Sequence, residues 1–473
     1  MAEKTVTFHI DMEVASIYVK DLLSFTYKHY LLPHPEQFNN VMKSIIDGDP
    51  ALSYRVIDPE TQSYVDVQVI GHRPIKIRMT PSDASISQDT LERLREDLVV
   101  SVELFEERVR RTTLYFSWVK GEKIIPERLP STKSRATHQI FTGNMLYLYV
   151  IMMMASIFLF SILGSYAPLV IIGFQLLAIL FSDKITLRLG EWRIDSKNPE
   201  VHLLQYHLPV KEFLEFQAKY GADAILRMKS DIYERSFSVG NEPSCEVGEE
   251  IFSKYGMKCD PERMTVKTVN VYDIVKRAAE KFNIPTPKIA ILNTMLPNAA
   301  ATGPSPGRGA VLVTTGLLVQ LEEDEVFSVI GHEMGHLKGR DPLILFGLMA
   351  AEYLLRVYVF LPFLYFSPLL YLMIAMGVIY FIAKFFEARA DLQSAMVIGQ
   401  PQVLAEALTK IGFHRLQFET MPGYKILGWI NWDPHPPIYF RVNRLENMKT
   451  PVRVMHPLIQ SAKDTVNGLR AAL

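Results

Sequence analysis

Cysteine is almost missing from this chain of 473 residues: only Cys245 and Cys259 occur. Two cysteines exclude a disulfide framework and a cysteine-rich metal centre, and a reduced pair in a cytosolic segment is the expectation. Net charge is missing too. The 50 Lys and Arg residues stand against 51 Asp and Glu, so no overall basic surface points to nucleic acid. The first thirty residues hold no continuous apolar core, so no cleavable signal peptide is expected, and membrane insertion falls to an internal segment. No internal repeat and no low-complexity tract stands out.

Charge is also absent locally. Between Arg135 and Asp183 there is no Asp, Glu, Lys or Arg. One unbroken helix over 145–181 would be roughly 55 Å long against a hydrocarbon core of ~30 Å. The "GSYAP" at 164–168 supplies Gly and Pro for a turn, so 145–183 reads as a helical hairpin. A second apolar region covers 342–386, with Pro362 and Pro368 bracketing its turn. Glu352 and Arg356 lie four apart in its first arm and can neutralise each other on the bundle interior. Mean hydropathy of +0.10 is high for a soluble protein, which agrees with insertion.

The flanks set an orientation. Lys120, Lys123, Arg128, Lys133 and Arg135 precede the first hairpin, and Lys184, Arg188, Arg193 and Lys197 follow it. Both expected turns are uncharged. A cell-membrane protein with its N-terminal domain, middle domain and C-terminus in the cytoplasm follows.

Outside the hairpins, residues 1–130 read as an N-terminal α+β domain. "SYRVID", "SYVDVQVI" and "PIKIRM" are strand-like, and 86–112 is a helix with Leu91, Leu94, Leu98, Val102, Phe105 and Val109 on one stripe. Nothing in it suggests chemistry. Residues 184–341 and 387–473 form the two parts of a further domain.

That domain carries "HEMGHLKGRD". His332 and His336 lie four apart on a helix and share a face, so both imidazoles can hold one ion, with Glu333 placed to take a proton. A zinc site needs a third ligand. The second hairpin goes out and returns, so "EARAD" just after it comes back to the level that His336 left. Glu387 then completes a His2Glu set with a position left for water, and Asp391, four residues on, can orient a ligand histidine through its free ring nitrogen.

These motifs resemble the HtpX-like membrane zinc metallopeptidases of the gluzincin group, whose relatives include the CAAX prenyl proteases. The resemblance covers roughly 265–446. It implies an α-helical membrane protein with a mostly α, α+β protease domain of the zincin type, four transmembrane helices as two hairpins, and the N-terminal domain added. It also implies one Zn2+ per chain on His332, His336 and Glu387, with Glu333 as general base and Asp391 as helper. "PNAAATG" at 297–303 is similar to the family's N-A-F-A-x-G before an edge strand, with Ala300 in place of the usual Phe; Asn298 and Ala299 are its substrate-binding candidates. "HPPIYFRVNRL" resembles the family's H-P-x-x-x-R segment and brings His435, a donor for the oxyanion, and Arg441 to the cleft. A peptide substrate is expected to lie as an extended strand against "GAVLVTT", 309–315. The implied activity is hydrolysis of misfolded or membrane proteins at the cytoplasmic face. Alternatives are processing of lipid-modified C-termini, or a membrane scaffold or chaperone with a structural zinc.

Overall fold

The computed structural model describes residues 5–10, 12, 18–57, 63–72, 74–83, 86–122, 146–360, 367–420 and 423–473. The basic flank at 123–135 and residues 361–366 of the second expected turn lie outside them. The chain divides into two units, Met1–Phe116 with Leu204–Lys267, and Ser117–Leu203 with Thr268–Leu473.

The first unit is built on strands β1 (Val6–Ile10), β2 (Phe38–Ile46), β3 (Asp49–Ile57), β4 (Tyr64–Ile70) and β5 (Ile75–Pro81), in the order β1-β5-β4-β3-β2, all neighbours antiparallel. Alternation drives Val65, Val67 and Val69 to one face, where they share a core with the stripe of helix Gln88–Arg110. Strand β2 escapes the sequence reading because it is an edge: Asn39, Asn40, Lys43 and Ser44 are exposed and no apolar alternation marks it.

Two expectations are corrected in this unit. Residues 204–267 group with the N-terminal residues and not with the catalytic part. They carry their own packing: Tyr206 stacks on Phe252, its hydroxyl donates to the Lys258 carbonyl, and buried His207 lies 2.6 Å from the Thr113 hydroxyl. The cysteines are not a reduced pair: Cys245 and Cys259 form a disulfide. Helix Cys245–Lys254 is followed by a turn at Gly256, whose φ of +73° suits only glycine well, and the Cys259 N–H then donates to Glu249 on that helix.

In the second unit, β6 (Trp192–Ile194), β7 (Lys288–Leu292), β8 (Ala299–Thr302) and β9 (Ala310–Thr314) form a sheet in the order β8-β9-β7-β6. This corrects the expected substrate edge. The "GAVLVTT" strand is β9, parallel to β7 on one side and antiparallel to β8 on the other, so both its edges are taken. The outer strands of this sheet are β8 and β6, and β8 is the one beside the motif helix.

From β9 the chain enters the motif helix, Glu323–Gly339. It is started by a reciprocal cap between Glu322 and Glu325, with three acidic residues in its first turn facing the positive end of the dipole. Its Gly331, Gly335 and Gly339 recur every four residues and make a flat stripe. Against that stripe lies the return helix, Pro368–Val397. A Cβ at Gly331 would meet Ile398 Cγ1 at 2.5 Å, one at Gly335 would sit 3.2 Å from Ala390 Cα, and one at Gly339 would collide with the Arg389 guanidinium. The Ser394 hydroxyl donates to the Ser328 carbonyl across the same contact. Backbone proximity, set by missing side chains, is what fixes this helix pair.

Of the apolar regions, the first is helix Leu146–Leu163, a turn at Gly164–Tyr166 and helix Ala167–Leu180. Gly164 takes φ +53°, where the break was expected. Among the described residues one stretch, Met154–Leu180, is long and apolar enough to cross a membrane by length and composition, with mean hydropathy 2.1. The second region gives helices Asp341–Tyr358 and Pro368–Val397. Arg356 Nε lies 3.4 Å from Glu352, and the Tyr371 hydroxyl donates to the same carboxylate from the return helix.

The glycine stripe yields a direct expectation. Gly331→Val should lower the unfolding free energy by about 1–3 kcal/mol through overpacking, read as thermal unfolding in detergent. Gly347→Val, at a site where an added Cβ meets nothing, is the neutral control. Equal stability of the two variants would contradict the close-packing account.

Candidate metal centre

The motif helix presents His332 and His336 side by side, their Nε2 atoms 3.1 Å apart and facing one another. The return helix brings Glu387 over them, with Oε2 3.5 Å from His332 Nε2 and Oε1 3.4 Å from His336 Nε2. All three ligand atoms lie within 4.8 Å of one another, a group able to hold a metal ion. The fit to a cation is chemical as well as geometric. Among the described residues buried Glu387 Oε2 has no hydrogen-bond partner, and two imidazole nitrogens converge on the same point. An ion with nitrogen and oxygen ligands resolves both features, and two histidines with one carboxylate suit zinc.

Each histidine is held from behind by a carboxylate, and each carboxylate by an arginine. His332 Nδ1 is 2.8 Å from Asp391, which receives two bonds from Arg441, at 2.8 and 2.7 Å. His336 Nδ1 is 2.8 Å from Asp341, which Arg389 grips through both carboxylate oxygens. The second relay went unread in the sequence, although Asp341 stands five residues after His336 in the same motif. It reaches back because Arg340, in the left-handed region at φ +54°, turns the chain sharply at the end of the motif helix. With both Nδ1 atoms turned to carboxylates, both Nε2 atoms face one another across the site.

The electrostatics match. Burial alone would raise the Glu387 carboxyl, but the charges of His435, His336 and His332 hold it well below the usual carboxylate range. Burial would also raise Asp391; Arg441 and His332 pull it far down instead. For His332 burial lowers the pKa, and Asp391 and Glu387 overcome this and lift it to about 10. A cation entering there displaces a proton, so its binding is coupled to pH.

The remaining predicted residues divide. Glu333 lies beside the pair and its Oε2 accepts the N–H of Ala301, 2.6 Å away, so the motif helix is tied to the edge strand β8. His435 points Nε2 at Glu387 Oε2, 3.6 Å off, and turns Nδ1 to Asp433 at 2.8 Å. Glu387 and Asp433 raise the His435 pKa against the opposing effect of burial. The loop that carries His435 is stapled by Lys384, fully buried on the return helix, whose ammonium donates to Asn431 and to the carbonyls of Asp433 and His435. Lys384 and Asp433 also went unread in the sequence. Asn298 and Ala299 lie at the start of β8, where the Asn298 backbone is bonded to Thr314. Arg441 is buried with its guanidinium on Asp391, so it braces the site and is not free to take substrate.

Residues 266–449, which carry all of these groups, match the model of Peptidase family M48. Over 236 residues the chain is 31% identical to a Protease HtpX homolog of Thermodesulfovibrio yellowstonii, covering 42% of this chain and 80% of that protein. The chain belongs to peptidase family M48. Two other members match over shorter stretches. A Protease HtpX homolog 2 of Methanosarcina acetivorans is 37% identical over 164 residues, 30% of this chain and 54% of its own. A Protease HtpX homolog of Pyrococcus abyssi is 54% identical over 71 residues, 15% of this chain and 25% of its own. This M48 peptidase is therefore an HtpX-like metalloendopeptidase, and most of its first unit lies outside the family match.

Proposed function

We propose that the protein is a membrane-integrated, zinc-dependent endopeptidase that cuts misfolded or membrane proteins beside the bilayer. The observation that carries this reading is the meeting of Glu387 with His332 and His336. It depends on a long apolar excursion, 342–386, that leaves the motif helix and comes back to it. Two hairpins crossing the bilayer, 145–183 and 342–386, account for both apolar regions and for the pairing of Glu352 with Arg356 away from lipid.

A zinc ion on His332, His336 and Glu387 would polarise the scissile carbonyl and make water a better nucleophile at neutral pH. The protein's own groups do the rest. Glu333 accepts the proton of the attacking water and delivers it to the leaving amine. His435, held by Asp433 with Nε2 turned to the site, donates to the oxygen on which charge develops. Substrate binds as a strand on β8. The Thr314 N–H donates to the Asn298 carbonyl, so by antiparallel alternation the Ala299 and Ala301 backbone groups point away from β9; the Ala301 N–H meets Glu333, and a peptide pairs with the Ala299 backbone and the Ala301 carbonyl. Main-chain pairing of this kind tolerates many sequences, as quality control requires.

Two variants separate catalysis from scaffolding. Glu387→Ala should lose both the metal and activity. Glu333→Gln keeps the ligand set, so zinc content should stay near that of the wild type while peptide cleavage falls at least ~100-fold. Wild-type cleavage by Glu333→Gln would remove the general base from the account.

For orientation, the basic flanks favour the cytoplasm. One observation favours the opposite side: the Cys245–Cys259 bond, since such bonds persist in oxidising compartments. Acid-quenching intact cells and then alkylating with a maleimide polymer decides between them. The Cys245–Cys259 bond predicts resistance to alkylation, and two reactive thiols in the intact cell would instead support the cytoplasmic orientation. A bond that resists alkylation until reductant is added would reverse it.

A further inference from the structure

Three of the four tryptophans, Trp118, Trp192 and Trp429, are at most 2% exposed, whereas Trp432 is 52% exposed. Trp432 is not alone. Phe418, Tyr424, Leu427 and Ile430 are each 50–61% exposed, on helix Phe413–Thr420 and helix Tyr424–Ile430. Tyr424, Leu427 and Ile430 recur every three residues and so share one side of their short helix. The other side is packed: a Cβ at Gly428 would lie 3.2 Å from the Pro437 ring, and Trp429 Nε1 donates to the Tyr439 hydroxyl. The helix thus turns its apolar side outward by construction.

What covers that side follows from Lys384. Its ammonium bonds to the Asn431 side chain at 3.4 Å and to the carbonyls of Asp433 and His435. Lys384 stands where the apolar run of the return helix ends, two residues before Phe386, so Asn431 and Trp432 sit level with that end. Helix Tyr424–Ile430 is about 10 Å long, so its exposed side stays within about 10 Å of the same level. The return helix itself exposes Leu370, Met373, Ile374 and Val378. The patch therefore lies at the depth where aromatic rings favour the boundary between acyl chains and headgroups.

We propose that Phe418, Tyr424, Leu427, Ile430 and Trp432 form a lipid-surface dock, embedded in the headgroup boundary beside the catalytic cleft. The inference rests on the reading of 342–386 as a membrane hairpin. His435 follows Trp432 by three residues and points Nε2 at Glu387, so a bedded patch holds the mouth of the cleft against the bilayer. The favoured substrates are then juxtamembrane segments, brought to β8 as they leave the lipid.

The test uses the full chain in vesicles of phosphatidylcholine and phosphatidylglycerol, with the phosphatidylcholine brominated near the top of its acyl chains. Tryptophan emission should be quenched, and Trp432→Phe should abolish most of that quenching, because the other three indoles are buried. The triple variant Leu427→Ser, Ile430→Ser, Trp432→Ser should cut a membrane-anchored substrate several-fold more slowly, yet hydrolyse a soluble peptide at the wild-type rate and resist carbonate extraction. A wild type that resists carbonate but shows no Trp432-dependent quenching overturns the dock and leaves the hairpin reading standing. Equal loss on soluble and anchored substrates assigns the patch to peptide binding, and conversion of a dimer to a monomer assigns it to a second copy; both overturn the proposal. A wild type washed off by carbonate overturns the hairpin reading, and the dock with it.

Discussion

The contact on which the site depends is the approach of the return helix to the glycine stripe of the motif helix. Gly331, Gly335 and Gly339 leave no side chains between the two backbones, so Ala390, Ser394 and Ile398 come against the helix itself. Glu387 and Asp391 are one turn apart on the approaching helix. They reach His332 and His336 only because of that closeness; a pair separated by ordinary large side chains would be 8–10 Å between axes, with larger contact residues at the far end of that range. The candidate metal-binding group is thus a consequence of helix packing first and of ligand chemistry second.

Charge then completes what packing begins. Burying carboxylates costs several kcal/mol each unless they are paired and bonded. Here Arg441 lies on Asp391 and Arg389 on Asp341, and each carboxylate in turn faces one histidine. Two arginine–aspartate–histidine relays converge from opposite ends of the motif. Glu387, the third member of the candidate group, has no such partner at Oε2 among the described residues, which makes it the member suited to a cation. Lys384 links this centre to the loop of His435, so the return helix carries both Glu387 and the support of that loop.

Much of this was legible in the sequence because it is local. The spacing of His332, Glu333 and His336, and of Glu387 and Asp391, is helical periodicity, and the long apolar runs announce long apolar helices. The stripe from Leu91 to Val109 is legible for the same reason. What stayed hidden is non-local. The order β8-β9-β7 depends on which strands meet, and β9, the more hydrophobic strand, is the natural but wrong choice for a free edge. Arg441 reads as a cleft residue until its partner Asp391, fifty positions away, is seen to occupy it. The grouping of 204–267 with the N-terminal residues and the bond between Cys245 and Cys259 have no periodic signature at all. Asp341 was within reach: a carboxylate just past the second histidine is a natural partner for its free ring nitrogen.

The central claim is that one helix packed on another assembles a two-histidine, one-carboxylate site within a single chain. X-ray absorption at the zinc edge of the purified, zinc-loaded protein tests it most directly. The account predicts the multiple-scattering signature of two imidazoles, further oxygen ligands at about 2.0–2.2 Å, and no sulfur. A thiolate at about 2.3 Å, or a third imidazole, would contradict it.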